Sequence, residues 1–405
     1  MTERRVTERL AIVGASVRAA AASAVRAGFR VAAADLFADA DLESIATATQ
    51  VSSYPNGLVD WLRGLQPRPV AWMYTGALEN YPELVDEMSA LAQLWGNPGD
   101  VLRQVRSPLR LAEALQNAGF LFPEMRDSPT GLPRDGSWLA KTGRGASGSG
   151  VRAWSQTRRH RDKETGSEES AGIASTSPCL PLSLSPCLFF QRRIPGKPCS
   201  AVYVGTGHVA RLLGVVRQFV GEPWLGAREF QYCGAVGPWP VTEAALRQIR
   251  RIGDVLAACF GLRGLFGVDF VLEDDRVWTI EVNPRYPASA EILERATGIR
   301  LIASHAVACQ ASRFAVALPH EATALHGKAI VFARRAVTVA NELRNESQEA
   351  QPINRWPAFG DVPRVGTGIE PGRPILTVFA DGATPDEVVA NLQARVAIVE
   401  RQLYA

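Results

Sequence analysis

Alternating hydrophobic runs and polar breaks at the start of the chain predict a β-strand, an Ala-rich helix and a second strand. Residues 9–16 run from apolar strand positions into a turn, and residues 29–34 form the second strand, which ends at Asp35. Asp35 lies where a dinucleotide-binding fold carries its ribose-binding acid, but only Gly14 is present where that fingerprint has three glycines. We therefore predict an N-terminal α/β domain over residues 1–105 that does not bind NAD.

A second clear pattern consists of two apolar, β-branched runs that flank a short acidic segment. Residues 268–272 and 277–282 are rich in Val, Ile, Phe and Trp, and the Glu-Asp-Asp-Arg between them has turn chemistry. The pattern predicts a β-hairpin. Asp269 and Glu281 then stand at facing ends of two paired strands, and Asn283 follows Glu281 on the same strand.

The polar side chains of this hairpin predict a metal site. Carboxylate and amide oxygens suit Mg²⁺ or Mn²⁺ and leave coordination positions for phosphates. Arg285, two positions beyond Asn283, would contact the same anions. A half-buried hairpin with polar ends is the alternative interpretation of this stretch alone.

A glycine-rich segment follows another predicted strand, at residues 138–141. Its near-alternate glycines let backbone N–H groups converge on an anion, and Lys141 supplies a positive charge for phosphates. The lysine precedes the glycines and no Gly-Lys-Ser/Thr ends the loop, so a Walker loop is disfavoured. By itself such a loop is also compatible with a flexible hairpin. The candidate phosphate-binding positions in the loop are Gly143, Gly145, Ser147, Gly148 and Gly150.

The lysine-bearing strand, the glycine-rich loop and the acidic hairpin together resemble the ATP-grasp superfamily in their order and separation. The resemblance covers roughly residues 106–310. It implies that Lys141 contacts the α- and β-phosphates of ATP, that the 143–150 loop closes over them, and that the acidic hairpin holds Mg²⁺. Arg285 is implied to contact phosphate or an acyl-phosphate intermediate.

The resemblance extends to the hinge that binds adenine in this family, a strand followed by a Gly-containing turn. Residues 189–196 resemble that hinge, and Gln191 and Arg192 are the implied nucleotide contacts. Gln191 stands where the family usually has Glu. Because a backbone carbonyl and amide do most of the adenine recognition there, the resemblance tolerates this change.

Two departures from the family pattern bear on function. Pro108 stands at the spacing where the family often has a phosphate-contacting lysine, which leaves Arg106 or Arg110 as candidate replacements.

Biotin carboxylases carry a Gln-Val-Glu-His run shortly after the asparagine and arginine, whereas this chain has Tyr-Pro-Ala-Ser at 286–289. The bicarbonate-handling groups are therefore absent. The Asn-Pro-Arg-Tyr-Pro-Ala-Ser form is most similar to carboligase-like ATP-grasp proteins linked to tetrahydromethanopterin and methanofuran metabolism.

The resemblance implies an α/β ATP-grasp fold of three domains. A Rossmann-like domain is expected at 1–105, an ATP-grasp domain at 106–312 and a small β-rich domain at 313–405. The last of these also follows from short β-rich runs between Pro and Gly turns, and from an amphipathic helix at Pro385–Tyr404 with Val388, Val389, Leu392, Val396 and Val399 on one side. Residues 156–187 are polar, then Ser- and Pro-rich, and predict a disordered low-complexity insertion.

The implied activity is that of an ADP-forming carboxylate–amine ligase with ATP and Mg²⁺ as cofactors. A biotin-carboxylase-like carboxylase and a non-catalytic ATP-binding regulatory protein are the alternatives.

Ser16 and Arg18, at the start of the first helix, are candidate anion contacts for a substrate. Glu79 belongs to a loop that would open onto the same cleft, although the loop is equally compatible with helix capping.

Composition agrees with an ordinary enzyme of two or three domains. The chain has 405 residues, of which 46% are hydrophobic and 21% charged, and its net charge of +3 is too mild for a dedicated nucleic-acid binder. No apolar stretch is long enough to span a bilayer, and a cytoplasmic location is expected. The six cysteines lack metal-site spacing. We expect a small-molecule carboxylate and an amine as partners, neither nucleic acid nor membrane, and a homodimer as the compatible assembly.

Overall fold

The structure, a computed structural model, describes residues 8–143, 145, 148–155, 188–314, 322, 324–341, 343 and 356–404. The chain divides into two compact units, one formed by residues 1–122 and 194–405 and the other by residues 123–193. The domain boundaries drawn from the sequence stay predictions. The insertion predicted at 156–187 and the candidate phosphate-binding residue Ser147 lie outside the described residues.

A four-stranded parallel sheet forms the N-terminal part of the larger unit. Its elements are β1 (Arg9–Val13), α1 (Arg18–Arg26), β2 (Arg30–Asp35), α2 (Ala40–Glu43), β3 (Thr47–Gln50), α3 (Gly57–Gly64), β4 (Ala71–Tyr74), a 3₁₀ helix (Leu78–Asn80), α4 (Pro82–Leu91), α5 (Gly99–Val105) and α6 (Pro108–Asn117). The strand order is β3-β2-β1-β4. The two strands predicted at the start of the chain are therefore the two central strands, buried on both faces as a parallel sheet requires.

The carboxyl ends of these parallel strands lie at one edge of the sheet, where close backbone contacts form. A Cβ at Gly14 would lie 2.0 Å from Thr75 Oγ1, so no larger residue fits between the ends of β1 and β4. Asp35, at the end of β2, accepts hydrogen bonds from the backbone N–H groups of Val17 and Ala38 at 3.0 and 2.7 Å. The carboxylate thus orders the turn before α1.

The smaller unit is an antiparallel sheet of four strands. Its elements are β5 (Met125–Arg126), β6 (Asp135–Thr142), β7 (Val151–Ser155) and β8 (Leu188–Arg192), in the order β5-β8-β6-β7. Trp138, Ala140 and Phe190 form its buried core. Both the lysine-bearing strand and the hinge strand predicted from the sequence therefore belong to this unit.

An eight-stranded antiparallel sheet dominates the rest of the larger unit. The remaining elements are β9 (Lys197–Thr206), β10 (Ala210–Val220), a 3₁₀ helix (Pro223–Leu225), β11 (Tyr232–Gly237), α7 (Glu243–Phe260), β12 (Arg263–Glu273), β13 (Arg276–Asn283), α8 (Ala290–Thr297), α9 (Leu301–Ala311), β14 (Leu325–Phe332), β15 (Val337–Thr338), β16 (Phe359–Gly360), β17 (Gly368–Ile369), β18 (Pro374–Gly382) and α10 (Pro385–Tyr404). The sheet order is β13-β12-β9-β10-β11-β14-β18-β16. The C-terminal strands β14, β18 and β16 thus extend the sheet that carries the acidic hairpin.

Each face of the large sheet is covered by different helices. On one face, Val202, Val204 and Leu265 pack in a core shared with α8, α9 and the N-terminal helix α1. On the opposite face, Tyr203 stacks on Phe266 and donates a hydrogen bond of 2.8 Å to the carbonyl of α7 residue Ile249. The predicted α/β class is confirmed.

The C-terminal helix α10 has the bounds that the sequence pattern predicts. Its buried side chains are Val388, Leu392, Val396 and Val399, whereas Val389 is only partly buried. These residues pack in one core with β14 and β18. None of the described helices is long and apolar enough to cross a membrane.

Candidate active site

The acidic hairpin forms where the sequence predicts it, and strand pairing brings its two carboxylates together. Asp269 on β12 is directly opposite Glu281 on β13, and Gly267 is opposite Asn283. Because opposite residues of an antiparallel pair share a face, the polar side chains of Asp269, Glu281 and Asn283 project from the same side of the sheet.

In the part of the chain that the structure describes, the donors to Asp269 are neutral amides, and Arg285 is the cation whose charge acts on it. Asn283 Nδ2 donates to one carboxylate oxygen at 2.9 Å, and Gln218 Nε2 on β10 donates to the other at 3.0 Å. Within the described residues Asp269 makes no ion pair. Burial and the neighbouring charge of Glu281 raise the pKa of Asp269 to about 7. A site of carboxylate and amide oxygen ligands fits a divalent cation such as Mg²⁺.

Asp269, Glu281 and Asn283 do not form a site in which protein side chains alone surround a metal ion. No group of three or more His, Cys, Asp or Glu side chains suited to a metal occurs in the part of the chain that the structure describes. The residues here supply two carboxylates and one amide. A Mg²⁺ ion that also uses water and phosphate oxygens needs only one or two protein carboxylates, so the set suits a metal held jointly with a phosphate ligand.

Arg285 connects this hairpin to the N-terminal loop that was predicted to face the same cleft. Its Nε and Nη2 donate to Glu79 Oε1 at 3.1 and 3.0 Å, and Nη2 also donates to Asn283 Oδ1 at 3.0 Å. The Glu79 side chain is only 2% exposed, and its Oε2 has no hydrogen-bond partner. Glu79 therefore orients Arg285 in the structure, and a direct role in substrate binding stays a prediction.

The arginine nearest to the missing lysine position lies beside the hairpin. Arg106 Nη1 is 3.7 Å from Glu281 Oε2, and Nη2 donates to Asn80 Oδ1 at 3.2 Å. Pro108 begins α6, where its missing N–H is tolerated, and Arg110 in the first turn of that helix is exposed. Of the two candidate replacements, Arg106 is the one at the acidic hairpin.

The smaller unit holds the predicted phosphate-binding residues. The loop after Lys141 is a tight hairpin in which Thr142 N donates to the carbonyl of Gly150 at 3.1 Å. Gly148 and Gly150 have φ values of +80° and +85°, and a Cβ at Gly150 would lie 2.1 Å from Thr142 Oγ1. The loop therefore needs glycine for its backbone path. Gly143 and Gly145 belong to the same hairpin.

Two strands of the smaller unit place Lys141 beside Gln191. Lys141 is opposite Phe189, Gln191 is opposite Leu139, and the Lys141 ammonium donates to Gln191 Oε1 at 2.6 Å. Gln191 is 2% exposed, whereas the side chain of Arg192 is 60% exposed. The structure thus joins the predicted phosphate contact and the predicted hinge residue by one hydrogen bond, and their roles toward ATP stay predictions.

Arg18 lies in a buried ion-pair network in the larger unit. Its guanidinium contacts both oxygens of Glu291, and it is 3.2 Å from Asp361 Oδ2 and 3.5 Å from Asp41 Oδ2. Arg18 is 4% exposed, so its donors are engaged within the protein. Ser16 is exposed beside this network and is 3.5 Å from Asp361 Oδ1. A substrate contact through Ser16 or Arg18 stays a prediction.

Asp39, next to this network, makes folding stability depend on pH. Burial, then the charges of Asp361, Asp41 and Asp35, raise the pKa of Asp39 to about 8, although Arg18 acts in the opposite direction. A carboxyl with a raised folded pKa stabilises the protein below its unfolded pKa, at about pH 4, and this stabilisation is lost as the pH rises through the folded pKa.

Replacing Asp39 by Asn should therefore increase stability at alkaline pH. We expect the variant's unfolding free energy to exceed that of the wild type by at least about 1 kcal/mol at pH 9 and by less at pH 5. Urea denaturation at both pH values measures the difference. Asp274→Asn, in the exposed turn of the acidic hairpin, is the control and should show no such trend. A pH-independent difference for Asp39→Asn would contradict the raised pKa.

Three residues of this region carry no recognisable signal in the sequence. Gln218 and Tyr232 lie on neighbouring strands, and Glu291 begins a helix. Gln218 binds Asp269, and Glu291 binds Arg18 although 273 positions separate the two. Such contacts follow from strand register and helix packing, and no local pattern could have indicated them.

Comparison with known proteins agrees with this geometry. Residues 106–289 match the ATP-grasp domain family, a segment that contains the glycine-rich loop and the acidic hairpin. The formate-dependent phosphoribosylglycinamide formyltransferase of Acinetobacter baumannii is 34% identical over 77 residues. This match covers 16% of the present chain and 19% of that relative.

Solved structures resemble nearly the whole chain. The biotin carboxylase domain dimer of Hydrogenobacter thermophilus 2-oxoglutarate carboxylase, solved with MgADP, ADP and bicarbonate, has a TM-score of 0.67 at 12% identity, over 95% of this chain and 88% of that one. The L-amino acid ligase of Bacillus licheniformis has a TM-score of 0.66 at 15% identity, over 98% of both chains. At these identities the likeness shows the fold, and the predicted ATP-grasp fold is confirmed.

Proposed function

Because residues 106–289 match the ATP-grasp domain family and the chain has the ATP-grasp fold, we propose that it is an ATP- and Mg²⁺-dependent ligase that activates a carboxylate as an acyl phosphate for attack by an amine. ADP and phosphate are the other products. The proposal rests on the family, on the fold shared with biotin carboxylase and L-amino acid ligase, and on the residues at the acidic hairpin.

The observation that carries the proposal is the pairing of Asp269 with Glu281 beside Asn283 and Arg285. Two carboxylates in register, with one of them hydrogen-bonded by neutral amides, offer oxygen ligands to a divalent cation. A site that had decayed to a non-catalytic ATP-binding role would be expected to have lost one of these residues. The retained cluster therefore favours an enzyme over a regulatory nucleotide-binding protein.

Each residue has a defined task in the proposed reaction. Asp269, Glu281 and Asn283 would hold Mg²⁺, which when bound neutralises charge on the transferring phosphoryl group. Lys141 would bind the α- and β-phosphates, the glycines of the 143–150 loop would donate backbone N–H groups to them, and Gln191 and Arg192 would contact the adenine end of ATP. Glu79 and Asn283 hold the Arg285 guanidinium in one orientation, so that its positive charge is available to phosphate or acyl phosphate.

The proposed chemistry needs no covalent enzyme intermediate. A carboxylate oxygen of the acid attacks the γ-phosphorus, the bond to the β-phosphate oxygen breaks, and ADP leaves. The amine nitrogen then attacks the acyl carbon, phosphate leaves with the bridging oxygen, and the nitrogen loses a proton to form the amide.

The segment after the acidic hairpin, at residues 283–289, bears on which substrates the protein uses. The Pro287-Ala288-Ser289 sequence stands where biotin carboxylases carry their bicarbonate-handling residues, which favours an amine ligase over a carboxylase. The form of the segment at 283–289 supports a ligase in one-carbon cofactor biosynthesis, of the tetrahydromethanopterin or methanofuran type. A homodimer is the assembly that we propose, as in the carboxylase domain of Hydrogenobacter thermophilus.

Oxygen isotope transfer tests the mechanism directly. With Mg²⁺, ATP and a carboxylate labelled with oxygen-18, one labelled oxygen should appear in the phosphate released during amide formation, because phosphate leaves with the bridging oxygen. Phosphorus NMR or mass spectrometry of the phosphate measures the transfer. Formation of AMP and pyrophosphate, or release of unlabelled phosphate, would refute the acyl-phosphate mechanism.

A further inference from the structure

Tyr232, at the start of β11, carries a buried hydroxyl group without a partner. Its phenolic oxygen has almost no solvent-accessible surface, and it makes no hydrogen bond within the part of the chain that the structure describes. A buried hydroxyl in water-free surroundings costs stability unless something pairs with it. In an enzyme, such a group is a candidate for contact with a ligand.

Strand pairing places Tyr232 on the sheet face that carries the acidic hairpin. Gln218, which binds Asp269, is opposite Ala235, and a register shift brings Tyr232 opposite Val220 on the same strand. Gln218 and Val220 are two positions apart and therefore share a face. Tyr232 thus projects to the side of the sheet where Asp269 lies.

The charges around Tyr232 confirm this placement. Burial raises the pKa of the Tyr232 phenol, and Asp269 and Glu291 raise it further, while Arg285 lowers it. The hydroxyl therefore lies within electrostatic reach of the metal-site pair, the buried Glu291 and the candidate catalytic arginine. It also remains protonated, so that it can donate a hydrogen bond.

Within the described residues, neither Asp269 nor Glu291 accepts a hydrogen bond from the Tyr232 hydroxyl. Both oxygens of Asp269 accept from Gln218 and Asn283. Both oxygens of Glu291 are engaged by Arg18, with a second ion pair from Lys328. The phenol donor is therefore left without an acceptor while the two carboxylates bind other donors, and a bound molecule can supply that acceptor.

We propose that the Tyr232 hydroxyl binds the carboxylate of the acid substrate by donating a hydrogen bond to one of its oxygens. This inference rests on the proposed function, because it assumes that a carboxylate is phosphorylated beside Asp269 and Arg285. The neutral Tyr232 hydroxyl can bind a carboxylate without adding a charge to the surroundings of Asp269, Glu291 and Arg285. Tyr232 is then a substrate-binding residue for the acid and not for the amine.

Tyr232→Phe tests the inference, because it removes only the hydroxyl. The acid is the one that most stimulates ADP release in a panel of formate, bicarbonate and the twenty amino acids. We expect kcat/KM for that acid to fall about 10- to 100-fold, as for a lost hydrogen bond to a charged group. KM for MgATP and KM for the amine should stay within about twofold of the wild type, and the melting temperature should not fall, because the lost hydroxyl had no partner.

Tyr203→Phe is the matched control. It removes a buried hydroxyl from the opposite face of the same sheet, where the group bonds to a helix carbonyl. That variant should melt at a lower temperature but keep the wild-type KM for the acid. Wild-type kcat/KM for the acid in Tyr232→Phe, or a defect confined to the amine, would overturn the role of Tyr232 alone. A wild-type protein that no acid stimulates would instead contradict the proposed function.

Discussion

Replacing Glu281 by Gln is expected to reduce Mg²⁺-dependent ADP formation by about 100-fold or more. A metal ligand contributes several kcal/mol to stabilising the charge that develops during phosphoryl transfer, and each 1.4 kcal/mol corresponds to about a factor of ten. Glu281 supplies one of two carboxylates at the hairpin, and its side chain is 48% exposed. Gln keeps the volume of the side chain, so the fold should persist while the charge is lost.

The test of Glu281 needs a control and a measurement that does not depend on turnover. Glu273→Gln makes the same chemical change in the same hairpin, at a carboxylate that binds Trp278 Nε1 and pairs with Arg276. It should retain activity. Binding of Mn²⁺ in the presence of ADP, followed by electron paramagnetic resonance, should weaken in Glu281→Gln but not in Glu273→Gln. Wild-type turnover and metal binding in Glu281→Gln would rule out the metal assignment.

Replacing Glu291 by Gln is expected to destabilise the protein by about 3–5 kcal/mol at pH 7. The Glu291 carboxylate is 2% exposed and lies against Arg18, with Lys328 Nζ at 3.7 Å and Arg295 Nη2 at 3.8 Å. Removing it leaves Asp361 and Asp41, at 3.2 and 3.5 Å from Arg18, as the carboxylates in ion-pair contact with that arginine in the described chain. Uncompensated buried charge is far more costly than the loss of a surface pair.

The pH dependence of this effect has a defined sign. Burial acts to raise the pKa of Glu291, but Arg18, Lys328 and Arg295 outweigh it and lower the pKa to about 2. A depressed folded pKa stabilises the protein above the unfolded pKa, here about 4.5, and this contribution is lost as the pH falls toward 2. The difference between wild type and Glu291→Gln should therefore shrink below about pH 4.5.

Glu294 provides a control one turn along the same helix. It is equally buried but pairs with one cation, Arg26 at 2.9 Å, and accepts from Ser23 at 3.0 Å. Burial raises its pKa in spite of those contacts. Glu294→Gln should therefore cost clearly less than Glu291→Gln in urea denaturation at pH 7. Equal losses for the two variants would show that the three-cation network around Glu291 is not what stabilises this region.

Local patterns in the sequence predicted the elements of the site with good accuracy. The acidic hairpin was expected at 268–282 and is formed by β12 and β13, and the terminal helix has the predicted bounds. These elements are encoded by residues close together in the chain, since β-branched runs, turn residues and helical periodicity act over a few positions. The glycine-rich loop was likewise visible because its backbone path excludes other residues.

Long-range packing decided what the sequence left unassigned. Arg18, at the start of the first helix, and Glu79, in a loop after a strand, were predicted as substrate contacts. The structure pairs them with Glu291 and Arg285, which are more than 200 positions away. The sequence shows which residues are charged and does not show which charges meet. That outcome depends on how the N-terminal sheet and the large sheet pack within one unit.

The sequence by itself indicated the resemblance to the ATP-grasp superfamily, the strand that bears Lys141 and the acidic pair at the hairpin, because each depends on short motifs whose chemistry is local. Only the tertiary structure decided that Gln218 supports Asp269, that Arg106 lies beside Glu281, and that Tyr232 presents an unpaired donor to the same face of the sheet. These three facts depend on register between strands and on the packing of distant helices. A shift of one residue in strand pairing moves each side chain of the strand to the other face of the sheet. The pattern within a single strand does not encode which pairing forms.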